Sequence, residues 1–208
     1  MRHNCSDLLA GLRHRLWGAA AGLGRPIPSA VADHEYASGA WDHFDSEQEL
    51  PRYQALATVI GRLPPQAAVL DIGCGTGRLE ALLQARGHWR WMGIDHAPEA
   101  IRRAQARQLP DCAFALADFE QWRPATVFDA IVFNEVLGYA RDPGKLVADL
   151  LPALAPGGFL LVSQYRAGHW AALWRRIEHR CEPGESTTVS NDRGHCWDLK
   201  VLRPRPNL

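Results

Sequence analysis

The stretch Asp71-Ile72-Gly73-Cys74-Gly75-Thr76-Gly77 constrains this chain more than any other part of it. It ends an apolar run, AAVLDIG at residues 67–73, and opens a stretch with helical spacing. Glycine at alternate positions lets the backbone take tight or positive-φ geometry and leaves main-chain N–H groups open to a ligand at the start of a helix. A buried strand turning sharply into a helix is the building unit of a parallel sheet, and the chain downstream repeats it.

Further strands are expected at 89–95 (WRWMGID), 112–118 (CAFALAD), 128–134 (FDAIVFN) and 157–164 (GGFLLVSQ). Helical stretches lie between them: from about Gly77 to a stop at Gly87, from Pro98 to about Gln108, from the Asp142-Pro143 start, and over 169–180. Strands apolar on both faces and alternating with helices imply a three-layer α/β sandwich, a mostly parallel sheet with helices on both faces. The tail breaks this rhythm, since TTVSN, the turn-prone NDRG and HCWDLKVLRP read as an antiparallel hairpin at the sheet edge. Upstream, Ser46 and Glu49 form a capping-box pattern ahead of Leu50, Tyr53, Leu56, Ala57, Ile60 and Leu63. That spacing predicts an amphipathic helix over 47–63, stopped by Pro64-Pro65. Residues 5–17 read as a weak helix, and the chain divides into an N-terminal helical or lid segment, 1–50, and a main domain, 51–208.

Lys plus Arg and Asp plus Glu each number 23, so the net charge is zero and the chain offers no global attraction for nucleic acid or anionic membranes. DNA and membrane are therefore not expected partners. The apolar stretch 16–24 is too short to span a bilayer, and the Asp7, Arg and His residues ahead of it do not suit a secretory signal. Five cysteines at irregular spacing, positions 5, 74, 112, 181 and 196, suggest reduced thiols and a cytoplasmic setting. His179, Cys181, His195 and Cys196 lack the spacing of a zinc site, and no metal is expected.

The glycine turn departs from two nucleotide-binding patterns. Gly73-x-Gly75 is followed by Gly77 one residue early for a dinucleotide fingerprint, with bulky Arg78 in the packing position. No Gly-Lys-Ser/Thr is present to hold phosphates. Asp71, Asp95 and Asp118 instead end, or nearly end, three successive strands, so they should converge on one crevice at the carboxyl end of the sheet. Carboxylates there repel phosphate and favour ammonium, ribose hydroxyls and an adenine amino group.

VLDIGCGTGRLEALL, GIDHAPEAIRRA, ADFE, FDAIVFNEVLGYARDPGKLV and LAPGGFLLVS, in this order, resemble the class I S-adenosylmethionine-dependent methyltransferases, small-molecule type. The resemblance implies a seven-stranded sheet ordered 3-2-1-4-5-7-6 and S-adenosylmethionine as cofactor. It also implies that Asp71 and the turn Gly73, Cys74, Gly75 and Gly77 hold the methionine moiety. Asp95 would accept from the ribose hydroxyls with His96 beside the adenine, Asp118 would bond the adenine amino group, Phe119 would flank the ring, and Asn134 would lie near the methionine end.

The expected reaction moves a methyl group to O or N of a small molecule. A protein or RNA methyltransferase, a catalytically silent cofactor-binding partner subunit and, more remotely, an NAD oxidoreductase stay open. Asn134-Glu135-Val136-Leu137 lacks the Asn/Asp-Pro-Pro-aromatic tetrapeptide of enzymes acting on planar amino groups, and no Pro-Cys nucleophile of the cytosine type is present. Glu135, Tyr139, Tyr165 and His169 are candidates to line the acceptor site or act as base, with His43 behind them. Tyr36, Trp41 and Phe44 suggest an aromatic lid that shapes the acceptor pocket. Arg102, Arg103, Arg107, Arg175, Arg176 and Arg180 are expected on solvated helix faces.

Overall fold

The computed structural model of the chain describes residues 26–84, 86–168 and 170–205; the stretch 5–17, Cys5 and the candidate His169 lie outside the described residues. Among the described residues, seven strands form one sheet: β1 Ala68–Ile72, β2 Arg90–Asp95, β3 Cys112–Leu116, β4 Phe128–Asn134, β5 Leu154–Tyr165, β6 Cys181–Ser190 and β7 Cys196–Pro204. Their order is β3-β2-β1-β4-β5-β7-β6, the order that the family resemblance implies. The first five strands run parallel, while β7 pairs antiparallel with β5 and β6. Strand succession reverses between β1 and β4, which opens a crevice at their carboxyl ends.

The helices are α1 Ser29–Ala37, α2 Leu50–Ile60, α3 Arg78–Leu83, α4 Pro98–Ala106, α5 Pro143–Leu150 and α6 Trp170–Glu178. Side chains alternate across each strand and so serve two cores. Leu70 and Ile72 of β1 with Ile131 and Phe133 of β4 meet Leu146, Val147 and Leu150 of α5 and Leu173 and Ile177 of α6. On the other face, Val69, Ala130 and Val132 meet Leu56 and Ile60 of α2 and Leu79 and Leu83 of α3. Asp71 alternates onto this second face, beneath α2 and α3, where a carboxylate is costly to bury.

Local chemistry decides most element ends. Asp142 caps α5, its Oδ1 accepting from Lys145 N at 3.0 Å, and Pro143 occupies the first turn. Two expected features differ. Residues 47–49 form a 3-10 turn and α2 spans only Leu50–Ile60; the Ser46 side chain makes no cap. Pro51 fits only the first turn, which sets the start of α2, and the Glu49 carboxylate is taken by Arg52. The helix after the glycine turn ends at Leu83, and Gly87 is not its left-handed stop. A Cβ at Gly87 would fall 2.5 Å from the ring of Trp89, so glycine there makes room for a core tryptophan.

Arg103 and Arg107 also depart from a solvated face. Arg103 donates to Tyr36 O and to Asp42 Oδ1, both at 2.8 Å, and Arg107 Nε donates to Thr76 O at 2.6 Å. Asp33 of α1 accepts from Glu99 N at 2.6 Å and so caps α4 from outside it. No helix among the described residues is long and apolar enough to cross a membrane.

Candidate active site

A cleft of about 940 Å³, counted out to its mouth, opens where β1 and β4 end. Its floor is the glycine turn. Gly73, Gly75 and Gly77 have φ of +71°, +54° and +72°, the left-handed region that favours glycine. A Cβ on Gly73 would lie 2.5 Å from Val136 Cγ2, and one on Gly75 would lie 2.9 Å from the Tyr36 hydroxyl. Gly77 stands off the cleft and lets α3 close on Phe114 and Ala104. Gly73→Ala therefore combines a strained φ with a clash and is expected to cost about 2 kcal/mol of stability or more, read by chemical denaturation. An unchanged denaturation midpoint would remove this account of the turn.

Asp95 is nearly buried at the end of β2 and binds the turn to the next helix. Oδ2 accepts from Gly75 N at 3.0 Å, and Oδ1 accepts from Ala97 N at 2.9 Å. Burial raises its pKa, opposed by the Ala97 N–H and by His96. The rings of His96 and Phe119 line the cleft beside it, 6.3 Å apart and within 15° of parallel. Asp118 behaves differently: it is exposed, accepts from Glu120 N at 2.9 Å and from the Gln121 side chain at 3.1 Å, and does not line the cleft. Its carboxylate serves the local turn in this structure.

The opposite wall comes from the end of β4. Asn134 Oδ1 accepts from the Ser163 hydroxyl at 2.9 Å and from the Arg52 guanidinium. Glu135 takes φ of +63°, an unusual state for a residue with a side chain, held by its carboxylate. Ser163 Oγ also lies 2.9 Å from Oε1, so its one hydroxyl hydrogen is shared between Asn134 and Glu135, and Tyr165 N donates to Oε2 at 2.8 Å. Burial raises the Glu135 pKa, with Arg52 opposing. Tyr139 lines the same wall, and burial followed by Glu135 pushes its hydroxyl up to about 12. Tyr165 lies behind the wall, packed with Trp197 and His195, and is not part of the lining.

Residues 36–45 cover the cleft. Trp41 stacks on Phe44 at 5.3 Å and on Tyr36 at 5.9 Å, and meets Tyr139 edge-on at 6.4 Å. His43 stacks outside this group, on Trp41 and Phe44. Trp41 lines the cleft, and its indole N–H is buried and without a partner. Such a donor is costly unless a ligand satisfies it.

Sequence reasoning missed Arg52, which is 1% exposed and lines the cleft. Its Nη2 donates to Glu49 Oε2 at 2.8 Å, and the guanidinium lies 4.5 Å from the Tyr53 ring centre. The available signal was its place on the stripe Arg52, Leu56, Ile60, a charge at a core-facing helical position. Glu80, fully buried on α3 below Asp71, was missed for the same reason. Cys74 lines the cleft, but burial, then Glu80 and Asp95, hold its thiol well above the ordinary range, so it is inert. Among the described residues no His, Cys, Asp and Glu group is placed to hold a metal; Cys181 and Cys196 stand at opposite ends of the β6–β7 hairpin, across from Pro204 and Ser190 respectively.

A family described as "Methyltransferase domain" matches residues 41–198. The chain belongs to this methyltransferase-domain family. Trans-aconitate 2-methyltransferase of Escherichia coli (strain ATCC 8739) is 39% identical over 123 residues, covering 58% of this chain and 47% of the relative. The enzyme of that name from Methylobacterium radiotolerans is 39% identical over 123 residues, covering 59% and 46%. The chain thus spans about half the length of the curated relatives it matches. Among solved structures, the N-methyltransferase NodS from Bradyrhizobium japonicum WM9 with S-adenosyl-L-homocysteine superposes at TM-score 0.66, 24% identity, over 79% of this chain and 91% of that one. A Haloferax volcanii putative methyltransferase, complexed with its Trm112 activator, gives 0.69 at 18% identity, covering 83% and 96%. These likenesses establish the class I methyltransferase fold for this family member.

Proposed function

We propose that this chain transfers a methyl group from S-adenosylmethionine to O or N of a small molecule. The observation that carries the reading is the meeting, in one cleft, of a bare glycine turn, Asp95 and an aromatic cover at the β1/β4 switch point. The residues present fit the cofactor. The turn has no room for side chains, the rim carries a carboxylate where a phosphate would be repelled, and Trp41 offers a buried, unpaired N–H.

When bound, the cofactor supplies an already activated methyl group. Asp95 would accept from the ribose hydroxyls, His96 and Phe119 would flank the adenine, and the turn with Arg52 and Asn134 would hold the methionine end. Positioning then does most of the work, since in-line placement of two reactants replaces bimolecular encounter. The Tyr36, Trp41 and Phe44 cover acts as a lid that excludes water and shapes the acceptor pocket. Glu135, anchored through both oxygens, is the base best placed to take a proton from the acceptor. Four described cysteines are free thiols, which supports a reducing, cytoplasmic setting.

Calorimetric titration with S-adenosylmethionine and its demethylated product is expected to show binding. A panel of small acceptors, beginning with the trans-aconitate named in its relatives, should then yield demethylated cofactor. Failure to bind either cofactor form would overturn the reading. Tight binding with no turnover on any acceptor class would instead favour a silent partner subunit.

A further inference from the structure

Beneath the glycine turn lies a second acidic group that the proposed reaction does not use. Glu80 is 0% exposed and Asp71 1% exposed, one on α3 and the other on β1. Both Glu80 oxygens and Asp71 Oδ1 are buried without a hydrogen-bonding donor. Three such oxygens together are untenable if both groups are ionised, because two unsolvated anions would face each other in a low dielectric. Asp71 and Glu80 act on each other's titration, and a hydrogen bond between two carboxyls can form only while one of them keeps its proton.

We infer that Glu80 and Asp71 share a single proton while the cleft is empty and release it when a cationic ligand docks above Asp71, making Glu80 a positioning residue for that ligand. The inference rests on the reading of the cleft as an S-adenosylmethionine site. Its basis is placement: Asp71 is the second-last residue of the strand that leads into the turn, and Glu80 backs it from the first full turn of α3. A ligand bearing ammonium and sulfonium groups brings the positive charge that the buried pair lacks, so the second ionisation becomes favourable once the ligand is seated.

The surroundings leave few rivals for that proton. From α2, Arg52 faces Asp71 and opposes its protonation, while Tyr53 stays neutral. From α4, Arg107 faces Glu80. Cys74 in the turn and Cys112 on β3 are thiols held well above their usual range and at about 12 respectively, and Tyr36 above the turn is likewise neutral. Asp95 on β2 is raised by burial but already accepts two backbone N–H bonds. Burial raises Glu80 to about 7, against the pull of the backbone and Arg107, while Asp71 lies well above its usual value through burial, then Glu80 and Asp95. A carboxyl protonated in the folded chain and ionised in the unfolded one contributes stability that is complete below the ordinary glutamate range and fades as pH rises through about 7.

The test is titration of the full chain with S-adenosylmethionine at about pH 8, above the value to which Glu80 is raised, in two buffers of very different ionisation enthalpy. About one proton per site should be released, so the apparent heat differs between buffers. Affinity should increase as pH rises, by up to about tenfold per unit, over the range in which the empty pair keeps its shared proton. Glu80→Gln keeps a donor for Asp71 and removes the proton, and should bind with buffer-independent heat and a flatter pH profile. Equal heats in both buffers for the unaltered chain would overturn the inference while leaving cofactor binding intact. Buffer-dependent heat that persists in E80Q would overturn it too, by assigning the proton elsewhere, for instance to His96. Should E80Q not fold, the two-buffer comparison on the unaltered chain decides alone. Absence of any binding would defeat the cofactor reading itself, and this inference with it.

Discussion

Arg52→Met should unfold roughly 10 °C below the unaltered chain, a loss of about 3–5 kcal/mol. The size follows from what is left behind more than from what is removed. Glu49 is 8% exposed, and its carboxylate accepts from both Nε and Nη2 of Arg52, so methionine would strand a buried anion. Asn134 would lose a donor as well. The double variant Glu49→Gln, Arg52→Met should recover part of that loss, since replacing a buried ion pair as a unit costs far less than halving it. Thermal denaturation followed by circular dichroism reads both. Equal midpoints for R52M and the unaltered chain would show that the pair is not part of the packed interior. The same variant should bind S-adenosylmethionine more weakly, because Arg52 is the one buried cation lining the cleft among the described residues.

The second large effect belongs to Asp95. Asp95→Asn is expected to weaken cofactor binding on the order of 10²-fold, because hydrogen bonds to a charged group contribute about 1.5–3 kcal/mol each and the ribose offers two hydroxyls. Asparagine also presents an N–H₂ group to one of the two backbone donors, Gly75 N or Ala97 N, so a modest stability loss should accompany the change. The two consequences separate by method: calorimetry reports the affinity, and denaturation reports the fold. A D95N chain that binds as tightly as the original would remove Asp95 from the cofactor site, and with it the strongest single support for the functional reading.

Much of this architecture could be read directly from residue order, for a physical reason. Strand and helix alternation, the Asp142-Pro143 start and the Gly73–Gly77 turn depend on neighbours within a few positions, and those neighbours are visible in the sequence. Strand β4, Phe128–Asn134, spans the expected residues. Features that depend on distant partners were hidden. The Ser46–Glu49 pattern satisfies a capping rule, yet Arg52 competes for Glu49 and Pro51 sets where the helix begins. Gly87 fits a helix stop, yet the ring of Trp89 needs its space. Arg103 and Arg107 have the spacing of a solvated face, and only the folded chain shows that residues 36–45 and 76 lie opposite them. Arg52 and Glu80 are harder still, because a charge in an apolar helix is as consistent with a register error as with a buried ion pair until its partner is known.

The bond from Glu99 N to Asp33 has a mechanical consequence. It anchors the first turn of α4 to α1, and Arg103 anchors the last turn to Tyr36 and Asp42. Asp95 is joined to that same α4 through Ala97. Roof and floor are thus tied together: a tilt of the aromatic segment would move α4, and with it the carboxylate three residues ahead of Pro98, where that helix begins. A chain shortened to begin at Ser46 is accordingly expected to bind S-adenosylmethionine more weakly in a calorimetric titration.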